Sequence, residues 1–150
     1  MVDDQSIRII RELRHRMNRT AAPPRPRYLE DTYTPTYLGG TTAGVTTYTF
    51  QDAAWTRNGR VITVRGQVAW SAATGTGNAQ ISLPFAAAGG NFTGSLYLNG
   101  VTFAAGTPQM LVTSGNSFFT MGSPATNAGP TTVAIEAAGN VIFTVVYFFS

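Results

Sequence analysis

This 150-residue chain has no cysteine and a single histidine, His15, and all ten of its basic residues are arginine, so lysine is absent too. Without cysteine neither a disulfide framework nor a thiolate metal site can form. Without lysine, the Gly-rich stretch Gly89-Gly90-Asn91-Phe92-Thr93-Gly94-Ser95 lacks the residue a P-loop extends to its phosphates. Schiff-base and Ser–Lys chemistry fall with it. A Ser–His–Asp triad would have to use His15, in an Arg-rich segment, and no Gly-x-Ser-x-Gly turn is present to hold a nucleophile. Long apolar runs are missing as well. The longest, Val141 to Phe149, is broken by Thr144 and falls far short of the roughly 20 residues of a spanning helix. No apolar h-region follows Met1, so no secretory signal is expected, and the Asn91-Phe92-Thr93 sequon carries no weight without a secretory route.

Charge is scarce over most of the chain. The first 31 residues hold seven Arg and five acids, whereas Thr32 to Ser150 holds only Asp52, Arg57, Arg60, Arg65 and Glu136. A soluble domain ordinarily carries charge on about a quarter of its residues. A body so poor in charge either relies on Thr, Ser, Asn and Gln for solvation or covers surface with copies of itself. With so few carboxylates, a metal site has no donor set. Asp52 and Glu136 could act as a glycosidase pair only if the fold set them roughly 5–10 Å apart. The chain is expected to have no catalytic residues, cofactor or metal.

The charged head reads as a helix over about residues 3–18. Asp3 or Asp4 caps it and puts negative charge in the first turn. At 100° per residue, Ile9, Ile10, Leu13 and Met17 share one stripe, and Arg8, Arg11, Arg14 and Arg16 lie outside it. Such a helix packs on its own domain, or docks on another protein or on copies of itself, or lies on a membrane or nucleic acid. Docking on a protein fits best. The five acids dilute the arginines to a net +2 in the head, and mixed charge suits Arg–carboxylate links better than phosphates. Pro23, Pro24 and Pro26 then impose a semi-rigid spacer over 21–31.

The body, 32–150, reads as all β. In Arg60–Ser71, Ile62, Val64, Val68 and Trp70 alternate with Thr63, Arg65 and Gln67. Asn58-Gly59 predicts a hairpin with Ala53–Arg57, and Asn99-Gly100 predicts a second one between Ser95–Leu98 and Val101–Ala104. Further strands are expected at Val45–Phe50, Gln80–Leu83, Gln109–Thr113, Ser117–Met121 and Thr131–Ala137, a spacing that argues for a jelly-roll-like antiparallel β-sandwich. The last strand is apolar on both faces. One face fills a core and the other needs cover, either from a second layer of the same chain or from copies around an axis. Low body charge favours copies, and a trimer is expected. Its interface falls on Phe143, Val145, Tyr147 and Phe149 or on the alternate set Ile142, Val146 and Phe148, between which the sequence does not choose.

Tyr33-Thr34-Pro35-Thr36, the Gly39–Gly44 turn region, Trp55-Thr56-Arg57-Asn58-Gly59-Arg60-Val61, Ala69-Trp70-Ser71, Gly75-Thr76-Gly77 and Ile81-Ser82-Leu83-Pro84-Phe85 occur in that order. The series resembles small trimeric β-domains of tailed-bacteriophage fibre, head-fibre and related virion proteins, over Tyr33 to about Phe85. The resemblance implies a non-enzymatic virion protein and carries no catalytic residues with it. With about thirty residues ahead of the body and no shaft, a capsid-decorating, head-fibre or spike trimer held by its arm is expected, located on the particle and, during assembly, in the host cytoplasm. Its partners would be its own copies and a capsid or tail protein, with neither nucleic acid nor membrane insertion. The alternative is a tail-fibre tip that binds host-surface polysaccharide with aromatic and neutral polar groups.

Overall fold

A computed structural model of the chain describes residues 4–19, 28–103, 106–125 and 128–149. Its one helix, α1, runs over Asp4–Arg19. Ten strands follow: β1 (Tyr28–Tyr33), β2 (Tyr37–Gly39), β3 (Thr46–Asn58), β4 (Val61–Ala73), β5 (Ala79–Ser82), β6 (Gly94–Asn99), β7 (Gln109–Val112), β8 (Phe118–Ala125), β9 (Ala128–Thr132) and β10 (Gly139–Phe148). They form two antiparallel sheets, ordered β1-β3-β4-β10-β6 and β2-β5-β8-β7, with β9 on β8. Only β3–β4, β7–β8 and β8–β9 are paired neighbours in sequence; the other connections pass between the sheets or, from β1 to β3, by way of β2. The expected all-β sandwich is the fold.

The β3–β4 ribbon is its longest piece, and its alternation is the one read from the sequence. Ile62, Val64, Val68 and Trp70 point into the sandwich and are buried, while Arg65 is exposed. Gly66 shares the inward row. A Cβ there would sit 2.6 Å from Ala53 Cβ and 2.7 Å from the ring of Phe143, so the missing side chain is the space that Phe143 fills. Asn58 pairs with Val61, which makes Gly59 and Arg60 the two turn residues. Gly59 takes φ 63°, as the first position of a primed turn demands. The turn centre therefore lies one residue later than the Asn-Gly pattern suggested.

Several expectations change. The strand expected at Thr131–Ala137 is β9, which ends at Thr132. The strands expected at Val45–Phe50 and Ala53–Arg57 are one, β3, which begins at Thr46 and has irregular register around Tyr48. Such a bulge re-aims a side chain; Tyr48 packs on the core, and its hydroxyl accepts the Tyr37 N–H at 2.8 Å. At Asn99-Gly100 the chain turns, with Gly100 at φ 69°, but no hairpin forms: β6 pairs with β10 instead, Asn99 opposite Asn140. The ten-residue β10 presents a full second edge to β6, whereas Val101 drops out of the ladder to pack, buried, beside Trp70 and Gly139. Finally, the segment read as spacer is strand from Tyr28 onward, with Tyr28–Tyr33 paired against Asn58–Ala53. Residues 20–27, which include the three spacer prolines, lie outside the described residues.

Phe119, Phe143, Ile62, Ile81, Met110 and Met121 are among the core side chains buried between the sheets. Polar groups of the buried aromatics find partners. Tyr37 stacks on Trp70 at 3.9 Å, and both reach Glu136: its N–H donates to Tyr37 Oη at 2.9 Å and its carbonyl accepts Trp70 Nε1–H at 2.9 Å. The Tyr147 hydroxyl donates to the Phe85 carbonyl at 3.0 Å. Burial pushes the Tyr37 and Tyr147 phenols up to about 12, because the phenolate loses water it cannot replace.

Candidate functional site

The two surfaces singled out in the sequence, the helix stripe and the last strand, are placed very differently. In β10, side chains alternate across the sheet. Val141, Phe143, Val145 and Tyr147 are inside the sandwich; Ile142, Val146 and Phe148 point outward at 43%, 49% and 46% exposure. Phe149, just past the strand, packs on Phe85 at 5.6 Å and lies under the Arg57 guanidinium at 4.2 Å. Of the two sets considered for contact between copies, Phe143, Val145, Tyr147 and Phe149 are therefore occupied by their own chain. The outward set is the one a second molecule can reach. The choice rests on which face meets β2, β5, β7 and β8, and that is a property of the whole topology.

Around the outward residues, the register builds a mixed surface. Ile142 stands beside Gln67 of β4 and Tyr97 of β6, Val146 beside Thr63, and Thr144 beside Arg65. Across β3 and β1 the same face carries Phe50, Asp52, Thr56, Glu30 and Tyr28. Two depressions lie on it, of about 570 and 470 Å³, and they share Ala54 and Arg65. Glu30 accepts the Tyr28 hydroxyl at 2.7 Å, and this hydrogen bond, which favours the neutral phenol, is the main cause of the raised Tyr28 pKa. Sequence reasoning missed the β1 contribution, because Tyr28-Leu29-Glu30-Asp31-Thr32-Tyr33 contains no β-branched residue except Thr32 and follows a proline run. The one signal available was alternation of Leu29 and Tyr33 with Glu30 and Thr32.

In α1 the apolar residues Ile9 and Ile10 are 58% and 52% exposed, and Arg8 and Arg11 are exposed beside them. Ile7, off the stripe, is 40% exposed. None of the three isoleucines belongs to the core cluster of the sandwich. Arg14, Arg16, Leu13 and Met17 lie on the helix, with side chains outside the described residues.

For catalysis the arrangement offers little. Asp52 is exposed on the outer sheet face, whereas Glu136 sits in the connection before β10 with its carboxylate accepting the Thr102 N–H at 3.3 Å, and neither depression of that face is lined by Glu136. Among the described residues no three His, Cys, Asp or Glu gather as metal ligands, and no helix is long and apolar enough to cross a membrane.

No family model matches the chain, and no curated protein matches it in sequence. Among solved structures, the fold is similar to that of the Dettilon tailspike protein (gp208), with a TM-score of 0.64 and 16% identity. The likeness takes in 82% of this chain and 24% of that one, so the chain spans about a quarter of the tailspike's length, and at this identity the likeness is one of fold.

Proposed function

We propose that this chain is a structural protein of a tailed-bacteriophage virion, a homotrimer that decorates the capsid or forms a head fibre or spike, with its N-terminal arm as the anchor. The observation that carries the reading is the tailspike-like fold over 82% of the chain, and the ordered motifs from Tyr33 to Phe85 agree with it. For the anchor, the support is α1: Ile9 and Ile10 stand exposed next to arginines, as on a helix whose apolar stripe is covered by another protein. The body works through surface and shape, with no chemistry assigned to it.

The test is mass spectrometry and a density map of purified particles carrying the protein. It should be a stoichiometric component with its body on the outside, and its absence from purified particles would end the proposal. Docking onto particles lacking it should weaken with salt as the arginine links are screened. It should vanish at any salt in a variant with both Ile10→Asp and Leu13→Asp.

A second reading, the receptor-binding tip of a tail fibre that holds host polysaccharide, is favoured by the outer sheet face, with its two depressions and exposed Tyr28 and Tyr97, each 59% accessible. Aromatic faces beside hydroxyl and amide groups suit sugars. Retention of the protein on host polysaccharide, lost on changing Tyr28 or Tyr97 to Ala, would move the assignment from decoration to recognition.

A further inference from the structure

We propose that copies of this chain join through the outer face of the β1-β3-β4-β10-β6 sheet, with Ile142, Val146 and Phe148 of β10 meeting their counterparts around the symmetry axis. The inference rests on the homotrimer reading above and assigns it a surface. Three observations select a second copy as the occupant.

The first is apolar exposure. Ile142, Val146 and Phe148 form one outward row, extended by Tyr97 directly across from Ile142 and by Phe50 on β3, and each of the five is between 43% and 59% exposed. Apolar side chains concentrated on one face mark an interaction surface, where scattered ones would not. Among the described residues, the opposite sheet exposes one large apolar side chain, Leu111 at 37%, with Gln80, Thr120 and Gln109 around it and Leu38 and Phe118 half-buried.

The second is size. Five strands spaced ~4.8 Å apart, rising ~3.3 Å per residue over strands of six to thirteen residues, give a face on the order of 700 Å². A stable interface covers about 800 Å² on each partner. A peptide or a single helix would leave much of that area wet.

The third is charge. On this face Glu30 and Asp52 are set against Arg65, with Asp31 lining the depression beside Glu30 and Arg60 exposed at the adjoining turn, so both signs are present. A patch of mixed sign can meet its own copy with acids opposite bases. The chain's own helix is a poorer match. Over Asp4–Arg19 it carries five Arg against Asp4 and Glu12, an excess of three that the single surplus acid of this face does not match.

The test uses the full chain and its lack of cysteine. By light scattering the wild type should weigh about 48 kDa, three times the 16.0 kDa of one chain. Val146→Asp should give a folded protein at the single-chain mass, because residue 146 is exposed in the separate chain, whereas Leu111→Asp should stay trimeric. Val146→Cys introduces a lone thiol, and oxidation should trap covalent dimers on a non-reducing gel, with Leu111→Cys remaining single. This second variant decides the matter even if Val146→Asp does not fold.

A wild type at the single-chain mass would overturn the trimer reading and this inference together. A trimeric wild type in which Val146→Asp remains trimeric and Val146→Cys does not cross-link would overturn only the assigned face. Dissociation by Ile10→Asp, with Val146→Cys uncross-linked, would show that helices hold the copies and would also overturn it.

Discussion

Strand β10 has two faces of nearly the same composition and opposite fates. Val141, Phe143, Val145 and Tyr147 are almost completely covered by the facing sheet; Ile142, Val146 and Phe148 keep nearly half their surface in solvent. Hydrophobicity alone does not tell the two apart, because alternation supplies two rows and the topology chooses between them. The inner row is fixed by partners that no neighbour in sequence provides: Phe119 stands 5.0 Å from Phe143, and the Phe85 carbonyl accepts from Tyr147. The outer row has Thr63, Arg65 and Gln67 for company, residues suited to water or to another chain, and one ring of its own chain, Phe92, against Phe148.

Substitution should separate the rows most widely at their two phenylalanines. Phe143→Ala removes a ring from a core whose backbone was shaped to admit it at Gly66, and should cost about 3–5 kcal/mol. Phe148→Ala, which removes a half-exposed ring packed edge-on against Phe92 at 5.7 Å, should cost the separate chain about 1–2 kcal/mol. Urea unfolding at concentrations low enough to keep chains apart checks both. Equal costs would mean that the rows are not distinguished as described.

Much of this was legible in advance, and what was not has a common cause. Local pattern carried α1, the β3–β4 ribbon and the doubly apolar last strand, because each is written in consecutive residues: the Ile/Leu/Met stripe, the Ile62–Trp70 alternation, and Gly59 at its turn. Long-range pairing was not written there. Asn99-Gly100 has the composition of a hairpin turn, yet β6 joins β10, about forty residues later. Tyr28–Tyr33, with Glu30 and Asp31 in its middle and prolines just before it, becomes strand because β3 offers it an edge. The same holds for the candidate surface: its apolar row was visible, but its orientation and its Tyr97, Phe50, Asp52 and Glu30 neighbours came from register.

The inner face can also be probed by titration. Tyr37 and Tyr147 have phenols raised to about 12 in the folded chain, against about 10 when unfolded. A raised folded value means that the native state holds its proton more tightly, so this contribution is complete below pH 10 and is lost as pH climbs toward 12. The urea midpoint should hold steady from pH 7 to 9 and fall between pH 10 and 12. Tyr147→Phe should lessen that fall and cost about 1 kcal/mol at pH 7, where the Phe85 carbonyl loses its donor. A Tyr147→Phe variant that falls as steeply as the wild type would overturn this assignment.

A change at the turn tests what sets the rows in the first place. A slip of one residue between β3 and β4 would turn Ile62, Val64 and Val68 to solvent, and the two-residue turn at Gly59-Arg60 opposes it by fixing Asn58 against Val61. Gly59 has open space around its Cα, so a methyl group there meets no neighbour and its cost is conformational, from holding φ near 63° with a Cβ present. Gly59→Ala should lower stability by about 1 kcal/mol with an unchanged denaturant slope, and Gly59→Asn, which tolerates the left-handed region, by less. If the turn merely caps a ribbon whose register is held by Trp70, Val64 and their partners, that is the whole consequence. A changed slope, or new exposure of Trp70 fluorescence in the native state, would instead mean that the turn itself decides which row becomes the core.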